Sequence, residues 1–318
     1  MTLTIRSRET WLKGILAPKL KIDEPIRNWL AHGSWIPQAG MTNKKLVGEI
    51  YSTEHLSDYF ASEVIKLSIA AMSSAIHIEN NTADKRSSAW QLVRYYYSAY
   101  YAANALMRLS GHACTNLGAI DCTSINTLAG LYSVGGNTTK DKLSGGVFHL
   151  KINAGPPSSF RLSIAPGKGV HVQLWLVFLE YLKDLKAQIK LSPAPKVDIA
   201  KAIREVESLE REFLREGGGW LSDVRNAVNY RFEHGAWYPF DPSSVDRAEL
   251  RSSFKVNALG GTIFSPSAGA DHELTRAVRV CGFLVGWLTD SLVIMGSTAR
   301  DGKKTLITQG VLELSSKI

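Results

Sequence analysis

Apolar positions along this chain recur mainly at helical spacing. Leu56, Tyr59, Phe60, Val64, Leu67 and Ala71 lie three or four residues apart, which predicts a helix over 54–79. A second helix is expected over 88–110, stopping near Gly111. The segment "VHVQLWLVFLEYLKDLKAQIK" continues the pattern until Pro193 and Pro195 end it. Beyond Asp198, a candidate N-cap, Ile199, Ala202, Ile203, Val206, Leu209 and Phe213 form one stripe, closed by Gly217 to Gly219. Leu221–His234 predicts the next helix, with Gly235 at its C-terminus. A glycine- and serine-rich loop is then expected over 251–270, followed by a buried helix from about Asp271.

The period changes between 112 and 170. "GVFHLKI" and "SFRLSIA" read as short strands joined through "NAGPPS", after the turn-rich "VGGNTTKDKLSGG". This stretch is expected to be a β-hairpin-like insertion between helices. Residues 1–50 read as an irregular arm, packed on the body by Trp11, Trp29 and Trp35. The predicted organisation is therefore an arm over 1–50 and a mainly α domain over 51–318, with a small β insertion at about 112–170.

Composition narrows the function classes. The 318 residues are 45% hydrophobic and 21% charged, which is ordinary for a globular chain. The net charge of +8 suits nucleic acid or another polyanion. Cys114, Cys122 and Cys281 are odd in number and lack metal-ligand spacing, which points to a reducing, cytoplasmic setting. The N-terminus has no apolar run of the signal-peptide kind. "VCGFLVGWLTDSLVIMG" is short for a membrane span and is interrupted by Asp290. It is expected to be a core helix, with Gly282 and Gly286 permitting close packing, and no membrane partner is expected. No P-loop, HExxH pair or GxSxG elbow is found, so neither cofactor nor metal is expected.

Two helices carry unusual chemistry. In "WQLVRYYYSAYYAANALMR", Leu92, Tyr95, Tyr96, Ala99, Ala103 and Leu106 share an apolar arc. Arg94, Tyr97, Tyr101, Asn104 and Arg108 share another face, which reads either as a tyrosine-rich packing surface or as the wall of a basic cleft. In "LSDVRNAVNYRFEHG", Leu221, Val224, Val228 and Phe232 are expected to face the core. Arg225, Asn226, Asn229, Tyr230 and Glu233 take the opposite half. Two asparagines are poor helix formers, so a capped surface helix and a phosphate site are both open readings. A histidine near a helix C-terminus also interacts favourably with the dipole.

The segments "VRYYYSAYYAANALMRLSG" and "RNAVNYRFEHG" resemble the HEPN superfamily, helical domains of toxin, antiphage and RNA-surveillance systems. The resemblance covers about a third of the chain. It implies an HEPN-like helical bundle, RNA as ligand and, in catalytic members, a metal-independent endoribonuclease working as a dimer. It assigns Arg225 and His234 as catalytic and Asn226 and Asn229 as phosphate-orienting. Arg94, Tyr97, Tyr101, Asn104, Arg108 and Arg231 would contact RNA. The 2′-hydroxyl would attack the adjacent phosphate, with His234 as acid or base and Arg225 stabilising the phosphorane. Eight residues separate Arg225 from His234, more than in the family's pattern. On an unbroken helix the two point roughly 180° apart. They meet only if the chain bends at "EHG" or a second subunit completes the site. A homodimer, or a dimer with a related chain, is therefore expected, with "GFLVG" and "YSAYYAANAL" as close-packing surfaces. The alternatives are a non-catalytic helical interaction or regulatory subunit and a nucleotide sensor using the same cleft.

Overall fold

The computed structural model of the chain describes residues 2–16, 23–38, 41–80, 88–132, 142–214, 217–237, 247–260, 264, 272–298 and 312–315. The expected "VGGNTTKDKLSGG" turn region lies largely outside these residues. The fold is mainly helical with a small antiparallel sheet, as the periodicity predicts. Its elements are α1 (Thr2–Arg8), α2 (Ile26–His32), β1 (Trp35–Pro37), β2 (Lys45–Ile50), α3 (Thr53–Asn80), α4 (Ala89–Leu109), β3 (His112–Leu117) and α5 (Ala119–Tyr132). They continue with β4 (Gly146–Asn153), β5 (Ser159–Ile164), α6 (Val170–Lys190), α7 (Lys196–Leu214), α8 (Trp220–Tyr230), α9 (Arg247–Ala258), α10 (Glu273–Thr298) and α11 (Leu312–Ser315).

The chain forms two compact units. One comprises residues 1–10, 65–105 and 182–318, and the other comprises 11–64 and 106–181. The divisions fall inside α3, α4 and α6.

The second unit is organised by a sheet of order β1-β2-β5-β4-β3, antiparallel throughout. Leu46, Leu162, Leu150 and Ala113 sit in one cross-strand row, and all are fully buried. Phe160 meets Trp29 and Trp35 edge-on at 5.6 and 5.3 Å, a favoured aromatic geometry. The expected β4–β5 hairpin is present but is not isolated. The stretch 1–50, expected to be an irregular arm, supplies α1, α2, β1 and β2. The strands β1 and β2 complete the sheet at one side, β1 pairing with β2 and β2 with β5, more than a hundred residues away. Alternation over three to six residues is too brief to stand out in sequence.

On the opposite face, His112 Nδ1 lies 3.0 Å from His149 Nε2, and the two rings stack. The His112 ring also meets Tyr181 edge-on. Burial, helped by His149 and Lys151, holds the His112 imidazole well below its ordinary range.

The first unit packs α4, α8, α9 and α10 with α1 and α7. Helix α7 begins at Lys196, so Asp198 sits in its first turn rather than at the N-cap; its N–H donates to the Pro195 carbonyl. Ala202, Val206, Leu209 and Phe213 are buried as predicted. The expected loop over 251–270 is instead helical through Ala258. Leu250, Phe254 and Ala258 recur every four residues and are buried, a stripe masked in sequence by the serines and charges between them. That stripe explains α10. A Cβ at Gly282 would lie 2.6 Å from the Phe254 carbonyl oxygen, and one at Gly286 would fall on the Asn257 carbonyl oxygen. The two glycines therefore admit α9 within the same chain. Among the described residues, α10 is the one helix long and apolar enough to cross a membrane, yet 72% of its apolar window is buried in the protein.

Adding a methyl group at the α9–α10 crossing forces backbone apart. Gly286→Ala should lower stability by about 2 kcal/mol in denaturant titration. An unchanged unfolding midpoint would contradict this packing. The His112 pair predicts a pH dependence. A histidine held neutral by folding binds fewer protons than the unfolded chain does below the ordinary value of 6.5. Its contribution is complete above that value and declines as pH falls beneath it. Unfolding titrations from pH 7.5 to 5 should show this decline, and His112→Phe should flatten it.

Candidate functional site

The site is built on α4, α8 and the turn that follows α8. Leu221, Val224 and Val228 bury one stripe of α8, as expected, with Ala227 buried beside them. The helix ends at Tyr230, earlier than the sequence suggests. Three consecutive carbonyls of its last turn find partners outside the helix pattern. Asn226 O accepts from Arg231 N at 3.2 Å, Ala227 O from Glu233 N at 3.0 Å, and Val228 O from Trp237 Nε1 at 2.6 Å. Such orphan carbonyls must be satisfied wherever a helix stops. The reversal uses left-handed backbone at Phe232 (φ 56°), His234 (φ 64°) and Gly235 (φ 58°). Side-chain-bearing residues adopt this region at a cost, which is why glycine alone marked the expected end. The reversal then caps α4. The Ala236 carbonyl accepts from Ser88 N at 3.0 Å and Ala89 N at 3.2 Å.

Arg225 lies at the centre and is only 7% exposed, whereas the sequence places it on the solvent half of the helix. Its Nη1 donates to Asn226 Oδ1 at 2.7 Å and its Nη2 to the Tyr97 hydroxyl at 3.2 Å. These two contacts fix the orientation of the guanidinium plane. The guanidinium carbon also lies 5.5, 5.6 and 5.4 Å from the ring centres of Tyr96, Tyr97 and Tyr230. Such cation–π contacts favour a partly desolvated arginine. Tyr101 continues the tyrosine cluster, its ring 6.3 Å from that of Tyr97. Arg225 also edges a cavity of about 20 Å³, room for about one water, lined by Leu92, Tyr95, Leu221, Val228 and Val278. Cys281 lines it too, and burial pushes its thiol far above the range for reaction.

His234 lies beyond the helix, so the roughly 180° opposition to Arg225 expected on an unbroken α8 does not arise. Its Nε2 is 3.6 Å from Glu273 Oε2, and its ring is 5.9 Å from that of His272. His272 Nδ1 accepts from Leu274 N at the start of α10. Glu273 had no sequence signal, because nothing in its spacing ties it to His234.

The remaining predicted residues divide. Arg94, Tyr97 and Tyr101 are half-buried on one side of α4, and Asn226 and Asn229 are half-buried on α8. Arg231 is exposed and paired with Glu233 at 2.9 Å. Phe232, expected in the core, is 61% exposed, because the helix ends before it. Asn104 is buried and donates to the Tyr100 carbonyl. Arg108 is 5% exposed, with Nε donating to Glu63 Oε2 at 2.7 Å and Nη2 to the Cys114 carbonyl at 3.2 Å. The structure gathers Arg225, Asn226 and Tyr97, and engages Asn104 and Arg108 in internal contacts. Among the described residues no cluster of three or more His, Cys, Asp or Glu side chains is placed to hold a metal ion.

No family model matches the chain, and comparison with curated proteins and with solved structures found no match.

Removing one partner of a buried ion pair strands the other. Arg108→Ala should therefore lower stability by about 3 kcal/mol, and Glu63→Gln by less, because an amide can still accept from the guanidinium. Equal unfolding midpoints for wild type and Arg108→Ala would mean that the pair has no structural role.

Proposed function

We propose that the chain is an HEPN-like RNA-binding protein, with Arg225 and His234 as the polar residues of a metal-independent endoribonuclease site. The observation that carries this reading is the oriented guanidinium of Arg225, held by Tyr97 and Asn226 beside half-buried tyrosines. Arginine suits phosphate because its planar fork donates in two directions. The Asn226 carboxamide, having spent its oxygen on Arg225, keeps its NH₂ group to donate to a phosphate oxygen. Asn229, one turn further along α8, is the second orienting amide.

In the cleavage step, the RNA 2′-hydroxyl oxygen bonds to the adjacent phosphorus and the 5′-oxygen leaves. His234 carries one of the two proton transfers, accepting the hydroxyl proton or donating one to the leaving oxygen, and water carries the other. Glu273, beside Nε2, is placed to orient that imidazole, leaving Nδ1 for the reaction. Arg225 stabilises charge developing on the non-bridging oxygens. The bend after Tyr230 supports this reading, since it takes His234 off the far side of α8.

The expected homodimer rested on an unbroken helix and on two small-residue faces. The "GFLVG" glycines pack against α9, and Ala99, Ala102, Ala103 and Ala105 are buried within the chain. That particular argument for a second subunit therefore falls away. A non-catalytic RNA-binding protein is the second reading, favoured by the burial of Arg225 to 7% exposure.

The purified protein should cleave RNA in EDTA and leave cyclic phosphate or 3′-phosphate ends. His234→Ala and Arg225→Lys should each slow cleavage by about 100-fold, with RNA affinity kept in the histidine variant. Binding without cleavage would support the second reading. Absence of any RNA binding would overturn both.

A further inference from the structure

The described surface of the first unit carries an aromatic patch that the proposed chemistry does not use. Trp90 is 55% exposed at the start of α4, and Phe232 and Tyr230 are 61% and 65% exposed at and after the end of α8. The rings are joined. Trp90 meets Trp237 at 5.6 Å, and Trp237 meets Phe232 at 5.8 Å. Trp237 is fixed by its hydrogen bond to the Val228 carbonyl, and Phe232 is held outward on left-handed backbone. Large aromatic rings normally leave water, so several held together at the surface call for an occupant.

The patch continues along α4. Trp90, Arg94, Tyr97 and Tyr101 are spaced by four, three and four residues, and each is at least half-buried or exposed rather than in the core. That spacing makes one stripe, roughly 16 Å long. Arg225 reaches it from α8 through the Tyr97 hydroxyl. Arg231 stands beside Phe232, in an exposed pair with Glu233. An exposed pair of this kind contributes little, so a phosphate can compete for Arg231. The surface thus alternates π faces with guanidinium groups. A duplex hides its base faces inside the stack and offers such a surface only phosphates, whereas an unpaired strand offers both bases and phosphates.

We infer that Trp90, Phe232 and Trp237 form a stacking platform for unpaired bases, leading a single strand along the α4 stripe to Arg225. This inference rests on the RNA-binding reading above, and it restricts the substrate class to single-stranded nucleic acid.

The test compares binding of a 15-nucleotide oligoadenylate and a 15-base-pair RNA duplex by anisotropy, about the length an aromatic groove can track. Trp90→Leu combined with Phe232→Leu should weaken oligoadenylate binding by about 30-fold and duplex binding by less than about 3-fold. Trp90→Phe alone should keep most of the affinity, because it retains a π face. Both positions are exposed, so the variants should fold, and circular dichroism checks this. Oligoadenylate affinity unchanged in the double variant, or an equal loss for both ligands, would overturn the platform while leaving RNA binding intact. No binding of either ligand by the wild type would instead remove the reading on which the platform rests.

Discussion

A guanidinium with almost no access to water sets the terms for α4 and α8. Burying a charge is costly unless hydrogen bonds and polarisable neighbours replace its hydration. Arg225 meets that demand with an amide, a phenol and the faces of three tyrosines. The demand explains why α4 carries consecutive tyrosines. Tyr96 is buried beneath the guanidinium while Tyr97, turned by about 100°, reaches its rim with a hydroxyl. On α8 itself, the Tyr230 ring lies over the same guanidinium at the helix's last residue.

The end of α8 and the start of α4 solve a shared problem. A helix terminus leaves carbonyls unsatisfied at one end and amides at the other. The reversal from Arg231 to Trp237 supplies donors to Asn226, Ala227 and Val228, then offers the Ala236 carbonyl to Ser88 and Ala89. One short segment thereby closes one helix and opens another. Its two left-handed non-glycine residues are strain supported by these bonds. The same strain turns Phe232 out of the core and separates His234 from the axis of α8.

Most helices were legible in the sequence because each buries a stripe whose period is local. The segment 170–190 is helical over the predicted length, and Gly282 and Gly286 admit a neighbouring helix as their spacing suggests. What the sequence concealed depends on contacts between distant segments. Leu46 becomes a sheet residue through Leu162, and the stripe of α9 gains meaning only against α10. The site divides in the same way. Arg225, Asn226 and Tyr97 were recognisable by residue type, but a charged residue on a helix reads as solvated until the tyrosines of another helix are placed over it. Arg108 shared a face with Arg94 on paper and lost that role to Glu63, forty-five positions away.

The separation of Arg225 from His234 has a chemical consequence. Two groups on one rigid helix have a fixed relation, which no substrate can alter. Here Arg225 is fixed by α4 and α8, whereas His234 takes its neighbours from the first turn of α10. Glu273 is well placed there, because a carboxylate is favoured near the positive end of a helix dipole. His272 strengthens the same terminus by accepting from Leu274 N. The orientation of the imidazole therefore depends on α10, and that of the guanidinium on α4. A phosphate bound by both would lie where these two supports meet, so α10, an apolar core helix by composition, would contribute to the site through its polar first turn.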